Sequence, residues 1–100
     1  MKEVFVGIVS SCQIHRFEMI PELKPRLLLR PTEEWATPII VGAVVKLCLP
    51  NGKEYKAIIK GFELPSMIPK DIPIALLIEE MPELDNDVPI GTRVFVEETE

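Results

Sequence analysis

Histidine occurs once in this sequence and cysteine twice, among 100 residues. A structural zinc site takes four ligands, so Cys12-x-x-His15 together with Cys48 falls one short of a set. Two cysteines are also too few for a disulfide scaffold; they read as packed thiols in a reducing compartment. Basic residues are outnumbered. Eleven Lys and Arg face 16 Asp and Glu, for a formal net charge of −5. General nucleic-acid binding relies on cations that neutralise phosphates, so this balance argues against it while leaving room for a local basic strip. No apolar run reaches the roughly 20 residues of a membrane span. The opening "MKEVFVGIV" gives way at once to polar residues, without the long apolar stretch and small-residue cleavage site of a secretory signal. The expectation is a cytoplasmic protein that does not enter a membrane.

What is present is apolar and rich in proline. Hydrophobic residues make up 47% of the chain, enough to build a core. Ten prolines against five glycines point to short elements and sharp corners rather than long helices. The length suits one domain, residues 1–100, with one core. "EVFVGIVSS" is apolar in both parities and is interrupted by Gly7, which predicts a strand covered on two sides with a bulge or a close backbone approach at the glycine. Residues 12–26 carry no clean period and hold Pro21 and Pro25; a short strand and an irregular loop are expected. "LLLR" at 27–30 is a brief apolar run. In "PTEEWATP", Thr32 is placed to cap a single helical turn that Pro38 would end. "IIVGAVVKLCL" and "KEYKAIIKGFEL" then read as two strands. "LPSMIPKDIP" reads as a loop, "IALLIEE" as a strand, "MPELDNDVPIG" as a turn and "TRVFVEE" as a last strand.

The corner inside "KLCLPNGKEYKAII" decides which side chains are core. A two-residue Asn51-Gly52 loop would pair Leu47 with Lys56 and Val45 with Ile58, mixing apolar and charged groups on both faces. A type I turn with Pro50 second, Asn51 third and Gly52 left-handed changes the register. Leu47 then faces Tyr55, Val45 faces Ala57 and Ala43 faces Ile59. Odd positions 43–49 and 55–59 become apolar, and Lys46, Lys56 and Lys60 share the wet side. The three-residue loop with a glycine bulge satisfies turn and pattern together. For the next strand the parity stays open: Ile74, Leu76 and Ile78 face inward, or else Ala75 and Leu77.

From about residue 40 to 97 the order of segments resembles the second domain of translational GTPases such as elongation factor Tu. Those domains carry a "VG-x-x-V-x-L" strand, matched here by Val41-Gly42-Ala43-Val44-Val45-Lys46-Leu47. A "T-x-I-x-G-V-E-M" strand follows in the family, and Ala57-Ile58-Ile59-Lys60-Gly61-Phe62-Glu63-Leu64 follows here. The sequence then offers Ile74-Ala75-Leu76-Leu77-Ile78-Glu79 where the family has "VGLLLRG". It closes with Pro89-Ile90-Gly91-Thr92-Arg93-Val94-Phe95 where the family has "x-x-GQVL". The resemblance implies a small six-stranded β-barrel, closed or nearly closed. It does not reach the family's glycine-rich first strand or its phosphate loop: no GxxxxGK[ST] occurs. The connection "PSMIPKDIP" replaces the family's tRNA-cradling loop, so no tRNA-contacting residue is carried over. Glu63 matches a family position and reads equally as a structural residue at the barrel edge.

No catalytic, metal or cofactor-binding residue is assigned from the sequence. A Cys12–His15 nucleophile needs a base within hydrogen-bond reach, which spacing alone does not provide. Glu79, Glu80, Glu83, Asp85 and Asp87 crowd one connection without the glycine and terminal glutamate of a calcium loop, and read as a solvated turn. The candidate partner-binding residues are Lys46, Lys56, Lys60 and Trp35. Lys46 and Lys56 should lie directly opposite each other with Glu54 diagonal to Lys46. The strip reads as a solvated, edge-protecting face or as a contact for RNA or an acidic protein. Few aromatics accompany the lysines, so no stacking platform for bases is evident. Trp35 reads as a plug over one barrel mouth or as an anchor for a partner. The expected function is a non-catalytic interaction module with a protein partner. Association with RNA or the ribosome through the lysine strip is the alternative.

Overall fold

The 47–57 hairpin turns at Pro50-Asn51-Gly52. Gly52 N–H donates to Leu49 O at 2.9 Å, Leu49 N–H donates to Lys53 O at 2.8 Å, and Gly52 has φ of +91°. Asn51 Oδ1 accepts from Lys53 N–H at 2.9 Å and holds the bulge shut. The three-residue loop therefore wins, and with it the expected register: Leu47 opposite Tyr55 and Val45 opposite Ala57. Val45, Leu47, Leu49, Ala57 and Ile59 are buried; Ala43 and Tyr55 are half-buried against them.

Around that hairpin a computed structural model describes residues 2–36, 39–64 and 73–98. It contains β1 (Lys2–His15), β2 (Arg26–Pro31), β3 (Val44–Cys48), β4 (Glu54–Glu63), β5 (Ala75–Ile78), a 3₁₀ turn at Pro82–Leu84 and β6 (Arg93–Glu98). Every neighbouring pair is antiparallel, and the strands pair in the ring β1-β2-β5-β4-β3-β6, with β6 returning to β1. The protein is thus an all-β, six-stranded barrel, closed in its hydrogen bonding though not evenly round. Its core is made by Leu27, Leu29, Leu47, Ile59, Leu76 and Ile78, all fully buried. Each contributes about 1.5–3 kcal/mol of apolar transfer. In β5 the Leu76 and Ile78 parity faces the core, while Ile74 is exposed; Ala75 is buried on the other side. The segment 65–72 of the proline-rich connection lies outside the described residues.

Two expectations are corrected. The first strand is not covered on both sides: Phe5 is 45% exposed. Its apolar residues in both parities instead reflect two register shifts, between Phe5 and Gly7 against β6 and between Val9 and Ser11 against β2. Each shift inserts a residue. Inward side chains therefore recur at Val6, Val9 and Cys12, three apart instead of two. Ser10, within the second shift, donates its hydroxyl to Pro31 O at 2.9 Å.

The second correction concerns residues 32–36, which form no helical turn. They run as a strap along β1: Thr32 N–H donates to Ile8 O at 2.8 Å, and Ala36 N–H to Val6 O at 3.0 Å. Those long-range bonds replace the local ones a Thr32 cap would start, and Pro38 lies outside the described residues. The strap lays Trp35 into the core, 2% exposed, with its ring on Gly7.

Candidate functional site

The wet face of β1-β6-β3-β4 gathers the chemistry that the lysines foreshadow. Phe5 lies opposite Phe95, Phe95 opposite Lys46, and Lys46 opposite Lys56. One row of side chains thus crosses four strands. Phe5 and Phe95 meet edge to face with centroids 5.4 Å apart, and Lys46 Nζ sits 5.4 Å above the Phe95 ring. One step along, Glu3 is paired with Glu97, and Val44 with Ile58.

The facing lysines do not repel unchecked. Lys46 Nζ reaches Glu3 Oε1 at 2.7 Å and Glu54 Oε1 at 3.8 Å; Lys56 Nζ reaches Glu97 Oε1 at 2.7 Å. The hydrogen bond to Glu3 raises the pKa of Lys46 above the ordinary lysine value, and the bond to Glu97 does the same for Lys56. The row is a zwitterionic, partly aromatic surface. The diagonal Glu54 contact was legible in the sequence, but Glu3, Glu97, Phe5 and Phe95 were not. They reach the lysines only through the β1–β6–β3 register, and no local motif signals it.

Lys60 does not belong to this row. It occupies the irregularity between Ile59 and Gly61 where β4 shifts against β5, and its carbonyl accepts from Arg26 Nη1 at 3.2 Å. It lines a separate open cleft of about 530 Å³, together with Glu22, Lys24, Arg26, Glu79 and Glu80. Arg26 is held from two sides, by that carbonyl and by the Phe17 ring 5.3 Å from its Cζ. His15 packs edge-on against the same ring at 4.8 Å. Glu79 Oε1 accepts from Ile58 N–H at 3.1 Å, extending the β4–β5 pairing with a side chain. Among the described residues, none of the six charged groups of the cleft lies in an ion pair with another charge.

The remaining candidates are dispersed. Cys12 and His15 are three apart in regular strand, so they project to opposite faces: Cys12 packs on the core and His15 on Phe17. Burial raises the Cys12 thiol pKa, and the nearby Asp87 carboxylate adds to the rise. Both cysteines are free thiols. Glu63 is half-exposed and bonds Arg30 at 3.4 Å, tying β4 to β2. In the acidic connection Asn86, not an acid, organises the backbone: its Oδ1 accepts from Met81 N–H at 2.8 Å. Among the described residues no three His, Cys, Asp or Glu side chains converge on a common point. No helix among them is long and apolar enough to cross a membrane.

No protein-family model, curated protein or solved structure matches this chain. The six-stranded ring is compatible in general shape with the barrel domain of translational GTPases, but no family match links the chain to them.

Proposed function

We propose that the chain is a non-catalytic interaction module, similar in build to the barrel domain of translation elongation factors, that binds a protein partner through the outer face of β1, β6, β3 and β4. The observation that carries this reading is the row Phe5–Phe95–Lys46–Lys56 with its clamping glutamates. Long cationic side chains normally lose rotamer freedom on binding; here Glu3 and Glu97 already hold them. Aromatic side chains are enriched in protein interfaces, and the lysines and glutamates beside Phe5 and Phe95 suit the polar rim of one. The geometry counts against a Cys12–His15 nucleophile. Cys12 is a half-buried thiol pushed toward its protonated form, with His15 turned away from it.

The ion pairs also weigh against RNA. A phosphate would have to displace a carboxylate already 2.7 Å from each lysine, and would meet Glu3, Glu54 and Glu97 beside it. A photo-crosslinking amino acid in place of Phe5, compared with one in place of the turn residue Asn51, tests the reading in cell lysate. A discrete crosslinked protein species that survives nuclease and appears only from position 5 is expected. Equal labelling from both positions, or a product that disappears with nuclease, would overturn it.

A further inference from the structure

We infer that the cleft beside the β1–β2 loop is a second recognition site, built to take a peptide segment of a protein partner that presents a carboxylate next to an apolar side chain. It relies on the reading of the chain as a protein-binding module but uses a different surface. The first observation is Arg26. Its guanidinium is fixed by the Lys60 carbonyl and by Phe17, yet among the described residues it has no carboxylate partner. Lys24 and Lys60 line the same cleft. A planar, pre-oriented guanidinium in a cleft that two lysines also line suits a carboxylate, which it can grip with two parallel hydrogen bonds.

The second observation limits the charge of the ligand. Glu22, Glu79 and Glu80 line the cleft as well, three acids against three bases. A phosphate carrying about −1.5 to −2 charges would be repelled by them. A single carboxylate is accommodated, and a neighbouring cation on the ligand would find Glu22 or Glu80, since only Glu79 is engaged by a backbone N–H.

The third observation is the loop that walls the cleft. Ile20 N–H donates to Phe17 O and Leu23 N–H to Ile20 O, both at 3.1 Å, so the loop is two consecutive turns with a defined shape. On it Met19 is 93% exposed, Ile20 49% and Leu23 40%, and Leu23 reaches into the cleft lining. A turn-built loop that exposes three apolar side chains, Leu23 of them lining the cleft, offers apolar contact area to a ligand there. The adaptable thioether of Met19 suits contact with varied apolar groups. The loop's own charges, Arg16, Glu18, Glu22 and Lys24, cancel, which disfavours an anionic lipid surface. Carboxylate and apolar group in one ligand, at side-chain spacing, describe a peptide.

A phage-displayed random dodecapeptide library panned on the intact protein tests the inference. Enriched peptides should carry Asp or Glu within two residues of Leu, Ile, Met or Phe. A synthetic copy of the leading peptide should shift amide resonances of residues 22–24, 26, 60 and 79–81. R26Q should weaken it by about tenfold or more, the loss of a charge-assisted hydrogen bond. R26K, which keeps the charge without the fork, should fall between. M19S should weaken binding while leaving the circular dichroism unchanged, and F5A on the other face should leave affinity unchanged, which separates this site from the sheet surface. No enrichment, enrichment of basic peptides, R26Q and R26K affinities equal to wild type, or equal saturation of the same amides by inorganic phosphate would each overturn the inference.

Discussion

Replacing Gly7 with alanine tests how the strap closes the barrel. A Cβ built on Gly7 would lie 2.8 Å from Trp35 Cε3 and 3.0 Å from Cζ3, inside the closest approach of carbon atoms. The Trp35 ring is fully enclosed, so it has nowhere to withdraw. Forced methyl insertion into a packed core costs about 1–3 kcal/mol, and removing a glycine from the unfolded chain returns about 0.4–1 kcal/mol. The net loss is about 1–2 kcal/mol, which for a domain of this size lowers the melting temperature by roughly 4–16 °C. Gly61→Ala is the control, because its Cβ would meet Leu77 Cδ1 at an ordinary 3.4 Å and should leave stability unchanged or raised. Trp35→Phe supplies the rescue. It removes the atoms that clash, and the indole N–H has no hydrogen-bond acceptor among the described residues, so no bond is lost. Thermal and urea unfolding by circular dichroism should show G7A strongly destabilising in the wild-type background and nearly neutral in W35F. A G7A protein as stable as wild type, or one equally destabilised with and without W35F, would refute the packing argument.

Gly52→Ala puts a Cβ at φ of +91° and should cost about 1–2 kcal/mol with little change in the slope of the urea transition; a loss confined to below the error of the midpoint would argue against the bulged turn. Cys12 should alkylate with iodoacetamide at pH 7 more slowly than the same thiol in urea, since burial raises its pKa. The sign for stability follows: the folded state holds the thiol proton more tightly. That contribution is full below the ordinary thiol pKa and is lost as pH rises through the raised folded value; stability that climbs with pH in this window would contradict it. E3Q/E97Q should remove the nearest counter-charge from Lys46 and from Lys56, leaving only Glu54 beside Lys46, and delay elution from heparin relative to wild type; unchanged elution would mean that Glu3 and Glu97 do not mask the lysines.

How much of this was legible depended on whether the deciding interaction was local. The 47–57 register follows from the turn chemistry of Pro50, Asn51 and Gly52 together with the alternation of the strands on either side, all of it local. Lys46 opposite Lys56 then came with it. The parity of 74–78 stayed open because both Leu76 and Leu77 are apolar; the register that sets Leu76 beside Leu29 and Phe62, not periodicity, turns it inward. The two shifts in β1 spoil a period-two reading because an inserted residue looks, in one dimension, like an apolar residue on the wrong face. The helical turn at Thr32 failed against hydrogen bonds to Ile8 and Val6, more than twenty residues upstream. The aromatic pair beside the lysines and the Arg26 cleft draw on residues scattered over 3–97 and 22–82. Only the closed ring brings each group together.

β6 touches β1 on one side and β3 on the other, near opposite ends of the described chain. Until residues 93–98 are in place, the backbone donors and acceptors of Lys2–Ile8 and Val45–Cys48 face water along two raw margins, and Val94 and Val96 leave an oily slot between them. A ribosome must therefore deliver residues 2–98 before the cylinder can shut. The interval before it shuts is when neighbouring nascent chains would stick to one another.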